Sequence, residues 1–246
     1  MGDRVREAIE AADDAVLSGA LEGHGHPRLG EIVAPGVRVV DDPKAALAGA
    51  DVAIDFTIPR ASCAAVRAAS ELGIAYVCGT TGFSDAERAD LETAAERIPI
   101  VWAPNFSVAV NVLAHLVGTA ARLLVDTDVE IVEMHHAAKR DAPSGTALRL
   151  AEAVAAARGV DLERAMVATR TGDTGARPIG AIGVQALRGG DNPGEHTVFF
   201  LGRGERLELT HRAATRDHFA AGALRAARWI VGRPEGLYGM EQVLGL

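Results

Sequence analysis

Four short apolar runs, Val37–Val40, Val52–Thr57, Ile74–Cys78 and Ile98–Ala103, alternate with helical stretches over the first half of the chain. The intervening stretches begin near Pro43, at Ala61 and at Asp85, and carry apolar residues at helical spacing, with Gly73 as a stop signal for the second. Strands that alternate with helices in this way build a parallel α/β sheet. Ligands of such sheets bind beyond the carboxyl ends of the strands. Thr57, Gly79–Thr81 and Ala103–Phe106 stand at those ends.

The front of the chain fits this frame incompletely. Asp3 to Ala12 reads as a helix with Val5, Ala8, Ile9 and Ala12 on one face, and Ala15–Leu21 as an apolar strand ending at Glu22. An acidic residue at the end of the second strand of a dinucleotide fold hydrogen-bonds the adenosine ribose. No strand is legible ahead of the helix. The first strand of a doubly wound sheet is central, so the strands at Ala15–Leu21 and Val52–Thr57 are expected to face a gap.

Beyond Ser107 the pattern changes. Val108–Leu124 reads as a helix with Val112, Leu113, Leu116, Val117, Ala120 and Leu124 along one broad apolar face. Asp128–Met134, Ile179–Arg188, Thr197–Leu201 and Arg206–Thr210 then read as strands with one helix among them, which predicts a mixed or antiparallel sheet in a second, α+β domain. Phe219–Ile230 is a final helix.

The joint between the first of those strands and its helix concentrates the chemistry. It reads Glu133-Met134-His135-His136-Ala137-Ala138-Lys139-Arg140-Asp141-Ala142-Pro143-Ser144-Gly145-Thr146-Ala147. Pro143 suits the entry to a helix, Ser144 or Thr146 can cap it, and Gly145 admits close approach of a ligand. The N–H groups of Gly145 and Thr146 would head the helix at its positive end, a site for a carboxylate or phosphate. Lys139 adds charge, and His135 or His136 can move a proton near neutral pH. The implied ligand is a small anion undergoing proton transfer. Single histidines and Pro-Ser-Gly-Thr runs are commonly structural, and a metal site with Glu133 is a rival. Adjacent histidines on extended backbone point to opposite faces, which argues against one shared ion.

Composition narrows the classes. A chain of 246 residues with 48% apolar and 24% charged residues is globular, and a net charge of −8 disfavours nucleic acid or an anionic membrane as partner. Cys63 and Cys78 form no close pair motif and suit a reducing cytosol. No apolar run is long enough to span a bilayer.

His135-His136, two residues, Lys139, one residue, then Asp141-Ala142-Pro143-Ser144-Gly145-Thr146-Ala147 closely resembles the signature of dihydrodipicolinate reductases. Gly79-Thr80-Thr81-Gly82 and Ala103-Pro104-Asn105-Phe106-Ser107-Val108-Ala109-Val110-Asn111 match two further motifs of that family in order. Leu187–Asp191 with Gly194–Thr197, and Leu209–Arg212, also match. Met1-Gly2 looks like the end of the family's glycine-rich loop, so the resemblance covers the chain but lacks the family's first strand and that loop.

The resemblance implies a Rossmann-like dinucleotide-binding domain over 1–106 and 217–246, and a substrate-binding and oligomerisation domain over 107–216. It implies His135 as acid/base, Lys139 as proton donor and charge stabiliser, and His136, Gly145 and Thr146 as holders of a substrate carboxylate. Glu22, Gly79, Thr80, Thr81, Ala103, Pro104, Asn105 and Phe106 would contact the cofactor, and no metal is expected. NADH or NADPH would serve, with NADH slightly favoured because Gly23-His24 offers no Arg for a 2′-phosphate. The implied reaction is hydride transfer to a cyclic dicarboxylate in diaminopimelate and lysine biosynthesis, by a cytoplasmic homotetramer. A non-catalytic dicarboxylate-binding relative is the alternative for a chain that starts at Met1. Gly189–Glu195 reads as a hairpin loop without a catalytic part.

Overall fold

The computed structural model describes residues 1–246, which form two compact units: Met1–Val108 with Asp217–Leu246, and Ala109–Arg216. The first unit runs α1 (Gly2–Glu10), β1 (Ala20–Leu21), β2 (Ile32–Ala34), β3 (Val37–Val40), α2 (Pro43–Leu47), β4 (Val52–Asp55), α3 (Pro59–Leu72), β5 (Ala75–Cys78), α4 (Asp85–Ala95) and β6 (Pro99–Trp102). The chain then passes through α5 (Val108–Leu123), β7 (Asp128–His135), α6 (Gly145–Arg158), α7 (Leu162–Ala165), β8 (Met166–Val167), β9 (Ile182–Arg188), β10 (Glu195–Leu201) and β11 (Arg206–Arg212). It returns with α8 (Asp217–Ile230), β12 (Gly236–Tyr238) and α9 (Met240–Leu244).

In the first unit, β4, β5, β6 and β12 form a parallel sheet in the order β12-β6-β5-β4. Successive residues of β5 point to opposite faces, and both faces are buried. Tyr76 joins Val66, Leu91, Ile98 and Ile100 on one side, while Val77 joins Val101, Phe106 and Ile230 on the other. Ala223, Ala226 and Ala227 give α8 a small-residue face against the sheet. Each large side chain buried here contributes about 1.5–3 kcal/mol. Gly73, left-handed at φ 72°, ends α3, and a reciprocal Ser84–Glu87 capping box starts α4.

The expected doubly wound sheet is divided. β1 pairs only with β3, which carries β2 on its other edge, while β4 pairs only with β5. The strand read over Ala15–Leu21 is correspondingly short. Only Ala20 and Leu21 gain a ladder partner, and Val16 is 89% exposed. The helix expected through Ala50 also stops early, at Leu47, ahead of Gly49 at φ 77°.

The second unit is a five-stranded mixed sheet in the order β11-β10-β7-β9-β8. β7, β8 and β9 run parallel, and β10 and β11 are antiparallel to their neighbours. Val129 and Ile131 of β7, Ile182 and Val184 of β9, and Val198 and Phe200 of β10 pack with Leu150 and Val154 of α6 and Val117 of α5. The apolar face of α5 is narrower than its sequence suggests. Leu113, Ala114, Val117, Ala120 and Ala121 are buried, whereas Val112 and Leu116 face solvent.

Candidate active site

The buried face of β7 changes character along its length. Val129 and Ile131 are core, and the next two residues on that face are Glu133 and His135. Strand register sets their neighbours: His196 of β10 lies opposite Glu133, and Arg188 of β9 lies opposite His135. A hydrophobic stripe thus ends in a polar cluster at the carboxyl end of the strand.

Glu133, fully buried, is the hub of that cluster. Its Oε2 lies 2.6 Å from His135 Nδ1, and Arg188 donates to both oxygens at 2.8 Å. Its Oε1 also accepts the Ser144 N–H at 3.0 Å. Burial pushes the Glu133 carboxyl up, but Arg188, His135 and the Ser144 N–H outweigh it and hold the group below the ordinary carboxylate range. Burial in turn lowers His135, against the opposing pull of Glu133 and with help from the charges of Lys139 and Arg188.

Ser144 is the helix cap, accepting the Ala147 N–H at 3.1 Å, and its hydroxyl also meets His196 Nε2 at 3.0 Å. Gly145 and Thr146 open the first turn of α6, Gly145 exposed and Thr146 half-buried. A Cβ built on Gly145 would meet nothing within 4 Å. Lys139 places Nζ 2.8 Å from both carboxylate oxygens of Asp141, which is itself 63% exposed. Such rim pairs contribute about 0–1 kcal/mol, so an incoming ligand carboxylate can take Asp141's place at little cost. His136 is half-buried beside buried His135 and donates its backbone N–H to Asn192 O at 2.8 Å.

Gly189–Glu195 is not a hairpin, because β9 and β10 flank β7 on opposite sides. The connection therefore crosses the carboxyl end of β7. It is tied there by Gly189 N to His135 O, Ala137 N to Gly190 O and His136 N to Asn192 O. Gly194, at φ 149°, passes His135 so closely that a Cβ would lie 2.8 Å from Nε2. The segment walls the site it was expected to leave alone. Arg212 pairs with Glu195 on the surface.

In the first unit the carboxyl ends of β4, β5 and β6 are joined by one polar network. Asp55 accepts from Thr57 N (2.8 Å), Tyr76 Oη (2.9 Å) and Thr80 Oγ1 (3.2 Å), and Gly79 N donates to Asp55 O at 2.8 Å. The residues expected to contact the cofactor sort by exposure. Thr81 and Pro104 are open and Gly79 and Asn105 half-open, while Thr80, Ala103 and Phe106 are buried. Phe106 packs edge-on against Phe56 at 5.6 Å, and Thr80 spends its hydroxyl on Asp55, so these two shape the edge from behind. Glu22 follows β1 with its carboxylate 40% exposed and His26 Nε2 4.0 Å away. An open edge of backbone and small residues, with an accessible carboxylate after β1, fits the ribose and nicotinamide ends of a dinucleotide.

Comparison with known proteins identifies the lineage. Residues 1–106 match the family described as dihydrodipicolinate reductase, N-terminus, and residues 109–244 match dihydrodipicolinate reductase, C-terminus. The chain belongs to the dihydrodipicolinate reductase family. It is 54% identical over 252 residues to the 4-hydroxy-tetrahydrodipicolinate reductase of Anaeromyxobacter sp. (strain Fw109-5), covering 100% of this chain and 94% of that protein. The enzyme of the same name from Thiobacillus denitrificans is 50% identical over 253 residues, covering 100% and 95%. A dipicolinate-bound dihydrodipicolinate reductase from Paenisporosarcina sp. TG-14 shares the fold, with TM-score 0.80 at 23% identity over 99% of this chain and 95% of that one. No helix is long and apolar enough to cross a membrane.

Proposed function

We propose that this protein reduces 4-hydroxy-tetrahydrodipicolinate to tetrahydrodipicolinate with NADH or NADPH, taking up one hydride and one proton and losing the 4-hydroxyl as water. The observation that carries the reading is the joint after β7. There a buried imidazole, a lysine at the rim and the first turn of a capped helix are assembled from one contiguous family signature.

The nicotinamide, when bound, supplies the hydride. The Gly145 and Thr146 N–H groups and His136 hold a substrate carboxylate at the positive end of α6. Lys139 releases Asp141 to neutralise the anion. His135 supplies the proton from Nε2, since Nδ1 is committed to Glu133. In the first unit, Glu22 takes the ribose hydroxyls, and Gly79–Thr81 with Ala103–Phe106 border the nicotinamide. The carboxylate at Glu22 favours NADH slightly, because a 2′-phosphate would meet like charge there.

Two further readings accompany this one. Free, buried Cys63 and Cys78 suit the reducing cytoplasm. Exposed Leu116, Leu123 and Leu207, with β11 as an open sheet edge, support assembly into a homotetramer through the second unit.

Replacing His135 or Lys139 with Ala tests the roles. Each should lower turnover by ~10²–10⁴ with the fold retained. Near-wild-type turnover in both variants would refute the assignment. Calorimetry with pyridine-2,6-dicarboxylate tests the turn separately. Gly145→Val has room in the protein and should weaken binding by filling the ligand's place.

A further inference from the structure

We infer that Glu133 is a positioning residue that locks the proton-transferring imidazole and the carboxylate-binding turn into one frame. The inference rests on the reading of His135 as acid and of Gly145–Thr146 as the anion site. Its own support is geometric.

The two oxygens of Glu133 serve two different parts of the site. Oε2 holds His135 Nδ1 at 2.6 Å, and Oε1 holds the Ser144 N–H, one residue ahead of Gly145, at 3.0 Å. The planar carboxylate thus fixes the imidazole against the start of α6. Arg188 grips the same carboxylate through both terminal nitrogens, and its Nη2 also donates to Asp141 O at 2.7 Å. That last bond fixes the backbone of the residue that pairs with Lys139. A fully buried carboxylate is costly unless its lone pairs are filled. Here four donors fill them, and two of those donors belong to the proposed site.

The arrangement also decides which ring nitrogen works. An ionised carboxylate only accepts, so His135 must donate from Nδ1. The exchangeable position is then Nε2, beside Gly194, where any Cβ would stand 2.8 Å from it. When the imidazolium gives up its Nε2 proton, the ring becomes neutral with Nδ1–H in place, and solvent returns the proton. The negative charge of Glu133 favours the protonated ring before transfer. Without Glu133 the ring could turn over or change tautomer, and α6 would lose a tether at its cap.

The test is the ¹⁵N spectrum of the full chain labelled at histidine, with the His135 resonances identified by His135→Gln. The wild type should show neutral His135 as the Nδ1–H tautomer, with Nε2 the nitrogen that titrates. Glu133→Gln, whose amide can donate to Nδ1, should shift the neutral ring toward Nε2–H and displace the acidic limb of the pH–rate profile. It should also lower kcat roughly tenfold to a hundredfold, as a slightly misplaced acid does. Glu133→Asp, which keeps the charge, should hold the Nδ1–H tautomer and recover part of kcat. An Nε2–H tautomer in the wild type would overturn the inference even if neither Glu133 variant folds. So would a Glu133→Gln protein with unchanged tautomer and pH profile. If the tautomer is as expected but the protein lacks reductase activity, the functional reading fails and the positioning role stands.

Discussion

His196 Nε2 lies 3.0 Å from Ser144 Oγ, so the strand opposite β7 reaches the hydroxyl that caps α6. His196 is 4% exposed, and burial, helped by the charge of His135, pushes its pKa down to about 4. The folded protein therefore holds this ring neutral at pH values where the unfolded chain, near 6.5, binds a proton. Stability associated with His196 is complete above about pH 6.5 and is lost as pH falls toward 4. The linkage amounts to roughly 3 kcal/mol at most. Glu133, held below its ordinary value, is lost with the same sign at lower pH. Urea midpoints measured between pH 7 and 4 should fall steeply, and His196→Gln should flatten the upper part of that slope. An equally steep slope in the variant would assign the acid sensitivity elsewhere.

Gly194 and His135 make a second close relationship. At φ 149° the backbone of Gly194 adopts a conformation that L side chains rarely take, and a Cβ would stand 2.8 Å from His135 Nε2. Gly194→Ala should displace the imidazole and cover the nitrogen assigned to proton transfer. The expected loss in kcat is on the order of tenfold to a hundredfold. Steady-state kinetics alongside a melting curve separates this from unfolding. A variant with wild-type kcat would show that Nε2 does not face the substrate.

Asp55 organises the edge assigned to the cofactor. Burial first, then the Asp55 charge, push the Tyr76 phenol far above its usual pKa, so it remains a donor to Asp55. Asp55→Ala would take the main acceptor from the buried Tyr76 and Thr80 hydroxyls, leaving them Ser62 O and the Thr57 N–H. We expect a loss of roughly 2–4 kcal/mol, and about 1 kcal/mol for Tyr76→Phe, read from denaturant midpoints. The KM for NADH should rise in Asp55→Ala, because the Thr80 hydroxyl and the Thr57 N–H lose the carboxylate that anchors them. An unchanged KM would remove this edge from the cofactor site.

The sequence and the structure diverge at identifiable places. The alternation over Val37–Ala103 was legible because strands buried on both faces and helices with distinct stops leave strong periodic signals. The short elements β2, β8, β12, α7 and α9 were not, since two to five residues carry no period to read. Ala15–Leu21 looked like a full strand because its residues are apolar, but pairing with β3 alone supports only its last two residues. At the site, His135, Lys139 and the Ser144–Thr146 turn stood together in sequence. Arg188 and His196 did not, because β9 and β10 bring them from more than fifty residues away. Glu133 could have been found earlier. It lies two residues before His135 on a strand, and that spacing places both on one face. The same parity hid in the crossover: only the strand order shows that Gly189–Glu195 passes over His135 rather than turning back on itself.

Two glycines of the first unit offer a last, paired prediction. A Cβ on Gly79 would lie 2.2 Å from Cε1 of Phe56, and a Cβ on Gly222 would collide with the carbonyl oxygen of Phe106. The clashes differ in kind. Phe56 is a half-buried side chain at the end of β4 and can swing away, whereas the Phe106 carbonyl belongs to backbone fixed beneath a ring that is 1% exposed. Overpacking costs typically about 1–3 kcal/mol. Gly79→Ala should fall in that range, raise the KM for NADH, and recover both stability and KM when combined with Phe56→Leu. Gly222→Ala should cost more and gain nothing from Phe56→Leu, because α8 must move bodily away from the loop after β6. Melting temperatures and NADH titrations on the two single variants, on Phe56→Leu alone and on both combinations decide it. Equal rescue of the two glycine variants would show that the Phe106 segment yields as easily as a side chain, and the close packing of α8 would then not define the shape of this edge.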